Sequence, residues 1–295
     1  MQKSKLKSLL IYLEMIKIQH SVFALPFAMI GMIWAADGWP GWAKFSWIIL
    51  AMVSCRSAAM AFNRIVDRRI DILNPRTATR ALPQGLIRLR DVYLFFLTSC
   101  IIFIGSSAML NPLALMLSPV ALGITLGYSY TKRFTPFCHF ILGLSLGIAP
   151  VAAWIAVRGS LDVQIIPMTL AVLFWTAGFD ILYALLDEKF DRDHHIRSIP
   201  QTLGNEKALF VSKGSHLMAI LCLILGGLAV QAGTWYFLGI FIAGILLFYE
   251  QILIKPNNYK RVNFAFATLN GFVSISIFVF TLTDQVMRNA RPFVG

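Results

Sequence analysis

The sequence predicts an all-α integral membrane protein, with about nine transmembrane helices in a parallel pseudo-repeat bundle around a central cavity and the N-terminus cytoplasmic. Three observations carry that prediction. The first is composition: of 295 residues, 58% are hydrophobic and only 14% charged, with mean hydropathy +0.71, whereas soluble domains carry about 25% charged residues. The second is arrangement, because the apolar residues come in long blocks of the length a bilayer requires. The third is charge asymmetry. Lys and Arg divide twenty-one to four between alternate interspan segments, and the positive-inside rule puts the richer side in the cytoplasm.

Taken in order, the spans are Ile18 to Ala36, Phe45 to Ala61, Val92 to Leu110, Leu113 to Tyr128, Phe137 to Val157, Val163 to Leu186, Leu217 to Ala232, Trp235 to Ile254 and Phe264 to Leu282. None alternates in polarity, so helices rather than barrel strands are expected. Met1 to Gln19 is charged and has no small-residue cleavage site, which predicts a retained interfacial segment rather than a signal peptide. The net charge of +12 follows from positive-inside loops lying against anionic membrane lipid, and no nucleic-acid partner is expected. Cys55, Cys100, Cys138 and Cys222 fall in or beside spans without metal-binding spacing. They read as buried apolar side chains.

The informative stretch follows the second span: "AFNRIVDRRIDILNPRTATRALPQG", Ala61 to Gly85. Asn63, Asp67 and Asp71 stand four apart, within an arc of about 80° on a helix. The sixth span ends similarly in "FDILYALLDEKFDRDHHIRSIPQTLG", Phe179 to Gly204, with Asp187 and Asp191. By the same arithmetic Asp180, Asp187 and Asp191 share an arc of about 40°, so each set is expected to line one helical face. Both stretches run on to Arg-x-x-Pro-Gln, at Arg80 and at Arg197. Spans two and six point the same way, so the repeat is parallel and predicts one site shared between the copies.

Carboxylates and an amide oxygen are hard ligands that suit Mg²⁺, an ion that typically binds one or two carboxylates plus substrate phosphates. Lys132 and the arginines suit phosphate oxygens. Acids interleaved with bases therefore point to a metal bridged to a phosphorylated substrate. The lack of a Gly-rich phosphate loop argues against a nucleotide, and a membrane setting implies a diphosphate with a long apolar tail. Arg56 and Asp180 are charged residues inside spans, where charge is costly and usually functional; binding of the substrate is one reading and a structural salt bridge between the two is the other. Each precedes its metal motif by seven residues, about 10 Å deeper along the helix. His20 is a candidate neighbour of that pocket, and His194 and His195 read as solvated.

These motifs resemble those of the UbiA superfamily of intramembrane prenyltransferases. Asn63-x-x-x-Asp67-x-x-x-Asp71 and Asp187-x-x-x-Asp191 are similar to its paired aspartate motifs, and Tyr128-x-x-x-Lys132 in "GYSYTKRF" to its third. "DILYALLDEKFD" is especially similar to the 4-hydroxybenzoate polyprenyltransferase branch. Arg64 departs from the pattern, since many members carry a second acid directly after the Asn. The resemblance spans residues 1–295 as one transmembrane domain, with motifs at 63–71 and 187–191 and cytoplasmic loops at 62–91, 129–136 and 187–216.

It implies Mg²⁺ held by Asn63, Asp67, Asp71, Asp187 and Asp191. Lys132, Arg68, Arg80 and Arg197 would bind the diphosphate, and Tyr128 would stabilise the allylic cation through its ring face. Arg56 and Asp180 would bind an aromatic acid acceptor, by its carboxylate and hydroxyl. The implied activity is transfer of a polyprenyl group from a polyprenyl diphosphate to 4-hydroxybenzoate in quinone biosynthesis, at the inner (cytoplasmic) cell membrane with the site opening to the cytoplasm. The same chemistry on 1,4-dihydroxy-6-naphthoate is the alternative acceptor reading. A cation-coupled transporter is the rival from another class, since repeats and intramembrane charges also fit it. A purely structural subunit would not require the matched acid ladders.

Overall fold

The computed structural model describes residues 10–17, 23–255, 258–259 and 261–290. His20 and much of the charged N-terminal stretch lie outside these. Among the described residues eight helices are long and apolar enough to cross a membrane. They are α3 (Trp42–Leu73), α4 (Leu89–Leu110), α5 (Pro112–Thr131), α6 (Cys138–Arg158), α7 (Ile166–Ala184, entered through a 3₁₀ turn at Val163–Ile165), α10 (Asn205–Ala229), α11 (Thr234–Leu253) and α12 (Val262–Asn289). A shorter apolar helix, α2 (Leu25–Ala36), is buried along most of its length. Residues 10–15 form α1, and two short helices, α8 (Glu188–Asp193) and α9 (Ile199–Leu203), belong to the loop after α7.

Local chemistry sets the helix ends. Proline lies in the first turn of α2, α5 and α7, where a missing N–H costs nothing. Gly159 ends α6 at φ +72°, a left-handed conformation that glycine adopts without strain. Asn111 does two jobs at the α4–α5 turn. Its Oδ1 accepts the Ala114 amide at 2.9 Å, and its Nδ2 donates to the Ile155 and Ala156 carbonyls at the end of α6.

Consecutive helices lie side by side, and α12 returns to pack against α2, so the bundle closes on itself. At the end opposite the acid motifs, Gln285 donates to Asp37 at 2.8 Å and Asn289 to the Asp37 carbonyl at 3.1 Å, joining the last helix to the first described ones. Close contacts run through glycine. A Cβ at Gly31 would lie 2.2 Å from the Pro150 carbonyl oxygen, and one at Gly143 2.2 Å from that of Leu173. Gly143 and Gly147 form a small-xxx-small face that lets α6 touch the backbone of α7, the usual means of tight packing in lipid. The adjoining core is aromatic: Phe23, Phe27, Trp175, Phe179 and Phe266 meet edge-to-face or tilted, with centroids 5.0–6.3 Å apart.

The two acidic motifs differ in local structure. In the first, α3 continues without a break through Leu73, about 48 Å for 32 residues, so Asn63, Asp67 and Asp71 share one face as expected. In the second, α7 stops at Ala184. The Leu186 and Asp187 amides close tight turns onto Tyr183 and Ala184, and Asp191 lies on the separate α8. The continuous helical arc expected for Asp180, Asp187 and Asp191 is therefore not formed. Asp187 is held instead by side chains from the first motif's loop.

Replacing Gly143 by Ala is expected to destabilise the bundle by about 1–3 kcal/mol, read as a lower melting temperature in detergent. Gly123→Ala, where a Cβ meets nothing within 4 Å, should leave it unchanged or slightly raised.

Candidate functional site

The end of α3, the end of α5, the start of α6, the end of α7 and the loops beyond them enclose a polar cavity of about 330 Å³. Asn63, Asp67 and Asp71 line it from α3, Lys132 from the end of α5, and Asp187 and Asp191 from the second motif. The parallel repeat thus brings its two ladders to one space.

Each acid has a basic or hydroxyl partner. Lys132 Nζ donates to Asp67 Oδ2 at 2.6 Å, and Asn63 Nδ2 donates to the same oxygen at 2.9 Å. Arg80 NH1 grips both oxygens of Asp71, at 2.7 and 2.8 Å. Arg76 forms a forked contact with Asp187, lies 5.0 Å over the Tyr183 ring, and is joined on the same carboxylate by Asn74 at 3.1 Å. Ser198 donates to Asp191 at 3.0 Å. Burial pushes the Asp191 carboxyl up to about 6; the Ser198 hydrogen bond opposes that shift and the charge of Asp187 adds to it.

Deeper along the helices, Asp180 and Arg56 also line the cavity. They do not pair with each other. Asp180 Oδ2 accepts from His139 Nδ1 at 2.7 Å, whereas Arg56 donates to the Lys17 carbonyl at 3.4 Å. Arg64, standing where an acid is common in the resembling family, turns to the Met15 carbonyl at 3.3 Å and the Asn63 amide oxygen at 3.4 Å. Lys17 thus lines the cavity, and the backbone carbonyls of residues 15 and 17 are set on two arginines.

A second pocket of similar volume adjoins the first and is almost wholly apolar. Arg56, Met60, Tyr128, Leu142 and Leu146 line both. From there the apolar pocket follows α5 from Tyr128 back to Ala114 and α6 onward to Ala156, about 21 Å in each case.

The structure gathers Asn63, Asp67, Asp71, Asp187, Asp191, Lys132, Arg80, Arg197, Tyr128, Arg56 and Asp180 around the polar cavity. Arg68 is exposed and is not among the lining residues. Arg197 lies at the rim, with its guanidinium donating to the Phe134 carbonyl at 2.9 Å. His194 and His195 are exposed. Sequence reasoning passed over Arg76, Asn74, Ser198 and His139. Arg76 and Asn74 had a usable signal, lying five and three residues past Asp71, but the repeat pointed only to Arg80. His139 had none.

The donor set suits a hard divalent cation, with carboxylates and an amide oxygen facing each other across one cavity. Four buried polar atoms of cavity-lining residues have no hydrogen-bond partner: Arg56 Nε, Asp67 Oδ1, Ser129 Oγ and Thr176 Oγ1. Buried polar groups are usually satisfied, so this concentration in one cavity fits a polar ligand or ion. Among the described residues no three acids, histidines or cysteines converge closely enough to hold an ion. Each ladder carboxylate faces its own partner instead.

The sequence profile of the UbiA prenyltransferase family matches residues 24–275. A Nitrosomonas europaea relative named 4-hydroxybenzoate octaprenyltransferase is 30% identical over 263 residues, covering 89% of each chain. One of the same name from Saccharophagus degradans is 27% identical over 285 residues, covering 96% of this chain and 95% of the relative. The apo structure of a UbiA homologue from Aeropyrum pernix superposes with a TM-score of 0.81 at 32% identity, covering 89% of this chain and 98% of that one. A UbiA homologue from Archaeoglobus fulgidus bound to GPP and Mg²⁺ has a TM-score of 0.69 at 17% identity, over 94% of this chain and 99% of its own; that likeness is one of fold.

Inorganic diphosphate together with Mg²⁺ is expected to raise the melting temperature. A ligand at about a hundred times its Kd contributes about 2.7 kcal/mol. Asp67→Asn should abolish the shift, as measured by thermal denaturation with and without both ions.

Proposed function

The chain belongs to the UbiA prenyltransferase family, and on that premise we propose that it transfers a polyprenyl group from a polyprenyl diphosphate to a ring carbon of 4-hydroxybenzoate, with Mg²⁺, in quinone biosynthesis. One observation carries the reading: a polar cavity rimmed by two acid motifs and several cations meets an apolar pocket at Tyr128 and Arg56. A diphosphate with a long apolar tail needs both compartments joined end to end. The relatives named 4-hydroxybenzoate octaprenyltransferase support the choice of acceptor.

The residues divide the work as follows. Lys132, Arg76 and Arg80 already hold carboxylates; a diphosphate offers the same oxygens and draws them toward it, with Arg197 at the rim. Asn63, Asp67, Asp71, Asp187 and Asp191 would hold Mg²⁺. That ion, when bound, supplies charge to the diphosphate as it leaves. Tyr128 stands where the polar head gives way to the tail, so its ring faces the allylic carbon and stabilises the cation formed there.

Arg56, with Nε unpartnered, takes the acceptor's carboxylate, and Asp180 takes its hydroxyl. Diphosphate departs as the C–O bond breaks, the ring carbon ortho to that hydroxyl attacks the allylic cation left behind, and that carbon gives its proton to the released diphosphate or to water of the polar cavity. No covalent enzyme intermediate is required. Membership in a prenyltransferase family leaves the transporter reading without further support.

The chain is a multi-pass membrane protein. The twenty-one to four division of Lys and Arg favours a cavity that opens toward the cytoplasm from the inner membrane. The tail would lie in the apolar pocket and pass into lipid.

The decisive experiment assays purified protein with 4-hydroxybenzoate and 1,4-dihydroxy-6-naphthoate against a set of polyprenyl diphosphates. Prenylation of the benzoate is expected, and use of the naphthoate alone would reassign the acceptor. Asp67→Asn and Asp187→Asn should nearly abolish turnover, as should chelation of the wild type; full activity in chelator would sink the Mg²⁺ assignment. Lys132→Ala should raise KM for the prenyl diphosphate roughly ten- to a hundredfold, the worth of a charge-assisted hydrogen bond, and move the aromatic KM far less. Arg56→Ala and Asp180→Ala should do the reverse.

A further inference from the structure

His139 is 3% exposed, at the first turn of α6. Its two ring nitrogens have different partners. The Ile199 amide donates to Nε2 at 3.3 Å, so Nε2 is an acceptor and carries no proton. The ring proton is then on Nδ1, which donates to Asp180 Oδ2 at 2.7 Å. A backbone amide thus fixes the tautomer of the histidine, and the histidine fixes the carboxylate. The Asp180 side chain remains 23% exposed, facing the cavity it lines, and its Oδ1 has no protein partner among the described residues.

We propose that His139 is the positioning residue for Asp180: it holds that carboxylate turned so that Oδ1 receives the acceptor's hydroxyl. This rests on the proposed role of Asp180 in binding the aromatic acid. Without a partner, the carboxylate could rotate about two torsions. One directed N–H bond fixes its orientation while leaving the second oxygen for the substrate. An accepted hydrogen bond from the hydroxyl pushes electron density into the ring, at the carbon that attacks.

The same histidine ties the acceptor pocket to the donor site. Ile199 opens α9, and the preceding Ser198 donates its hydroxyl to Asp191 of the second motif. The path Asp191–Ser198–Ile199–His139–Asp180 is short and built from directed bonds. The fit of the aromatic acid therefore depends on the geometry of the loop that carries the second motif.

The test compares His139→Leu, which removes both bonds, with His139→Asn, whose amide can donate near the position of Nδ1. With 4-hydroxybenzoate as the acceptor, each variant is measured for kcat, for the Michaelis constants of acceptor and prenyl diphosphate, and for thermal stability. His139→Leu should lower kcat/KM for the aromatic acid roughly tenfold or more while changing the diphosphate KM less than about twofold, and His139→Asn should recover much of the loss. In an Asp180→Asn background the His139→Leu change should have little further effect on the acceptor, since partners in one bond are not additive. Unchanged acceptor kinetics in His139→Leu beside an impaired Asp180→Ala would overturn the inference for His139 alone. Normal acceptor kinetics in Asp180→Ala would remove the role of Asp180 and this inference with it. Equal losses for both substrates that track melting temperature, with no recovery in His139→Asn, would reduce His139 to a packing role.

Discussion

A charge within or beside a bilayer must be paired, hydrogen-bonded or wet, because the low-dielectric surroundings penalise it otherwise. The polar end of this protein is organised by that constraint. Asp67 rests on Lys132, Asp71 on Arg80, Asp187 on Arg76 and Asp180 on His139. Three of these pairs join different helices or motifs: α3 to the end of α5, the first loop to the second motif, and α6 to α7. The pairs that make the acids tolerable therefore also hold the cavity walls in place. A ligand that draws its anionic oxygens onto Lys132, Arg76 or Arg80 exchanges with these carboxylates, which links binding to rearrangement of the same contacts.

Packing supplies the rigid frame for those pairs. α6 meets both α2 and α7 across glycines, so close that a single methyl would strike a backbone oxygen. α6 carries His139 at its polar end and lines the apolar pocket along its length. α7 carries Asp180 and leads into Asp187. The glycine contacts hold these two helices in register, which sets the distance between the acceptor-depth residues and the second motif. The aromatic cluster around Trp175 then fills the opposite side of α7.

The junction of the two pockets is where physical character changes. Above it are acids, cations and unpartnered polar atoms; below it are chiefly alanines, leucines and isoleucines, with the hydroxyls of Ser107, Ser118, Thr125 and Ser145 turned onto carbonyls of their own helices. Arg56 and Tyr128 stand at that boundary. An amphiphile is placed by such a boundary without further recognition, its charged head held by ions and its tail by exclusion from water. The reacting carbon of a prenyl diphosphate is the one that joins head to tail.

Much of this was legible in the sequence because it is periodic or local. Apolar runs of bilayer length give spans, the four-residue spacing of Asn63, Asp67 and Asp71 gives one helical face, and matched Arg-x-x-Pro-Gln stretches give a repeat. Ladder residues on an unbroken helix needed no tertiary information, and α3 carries them as the spacing implied. The second ladder did need it. α7 ends at Ala184, and Asp187 is held by Asn74 and Arg76 from 113 and 111 residues away; helical arithmetic along the chain contains no such partner. The Asp180–His139 pair, 41 residues apart, and the seating of Arg56 and Arg64 on carbonyls of residues 17 and 15 are of the same kind. Sequence spacing determined which residue types face one another along a helix; only the folded bundle decided which partner each charge would find, because pairing across helices depends on closure of the ring and not on any local period.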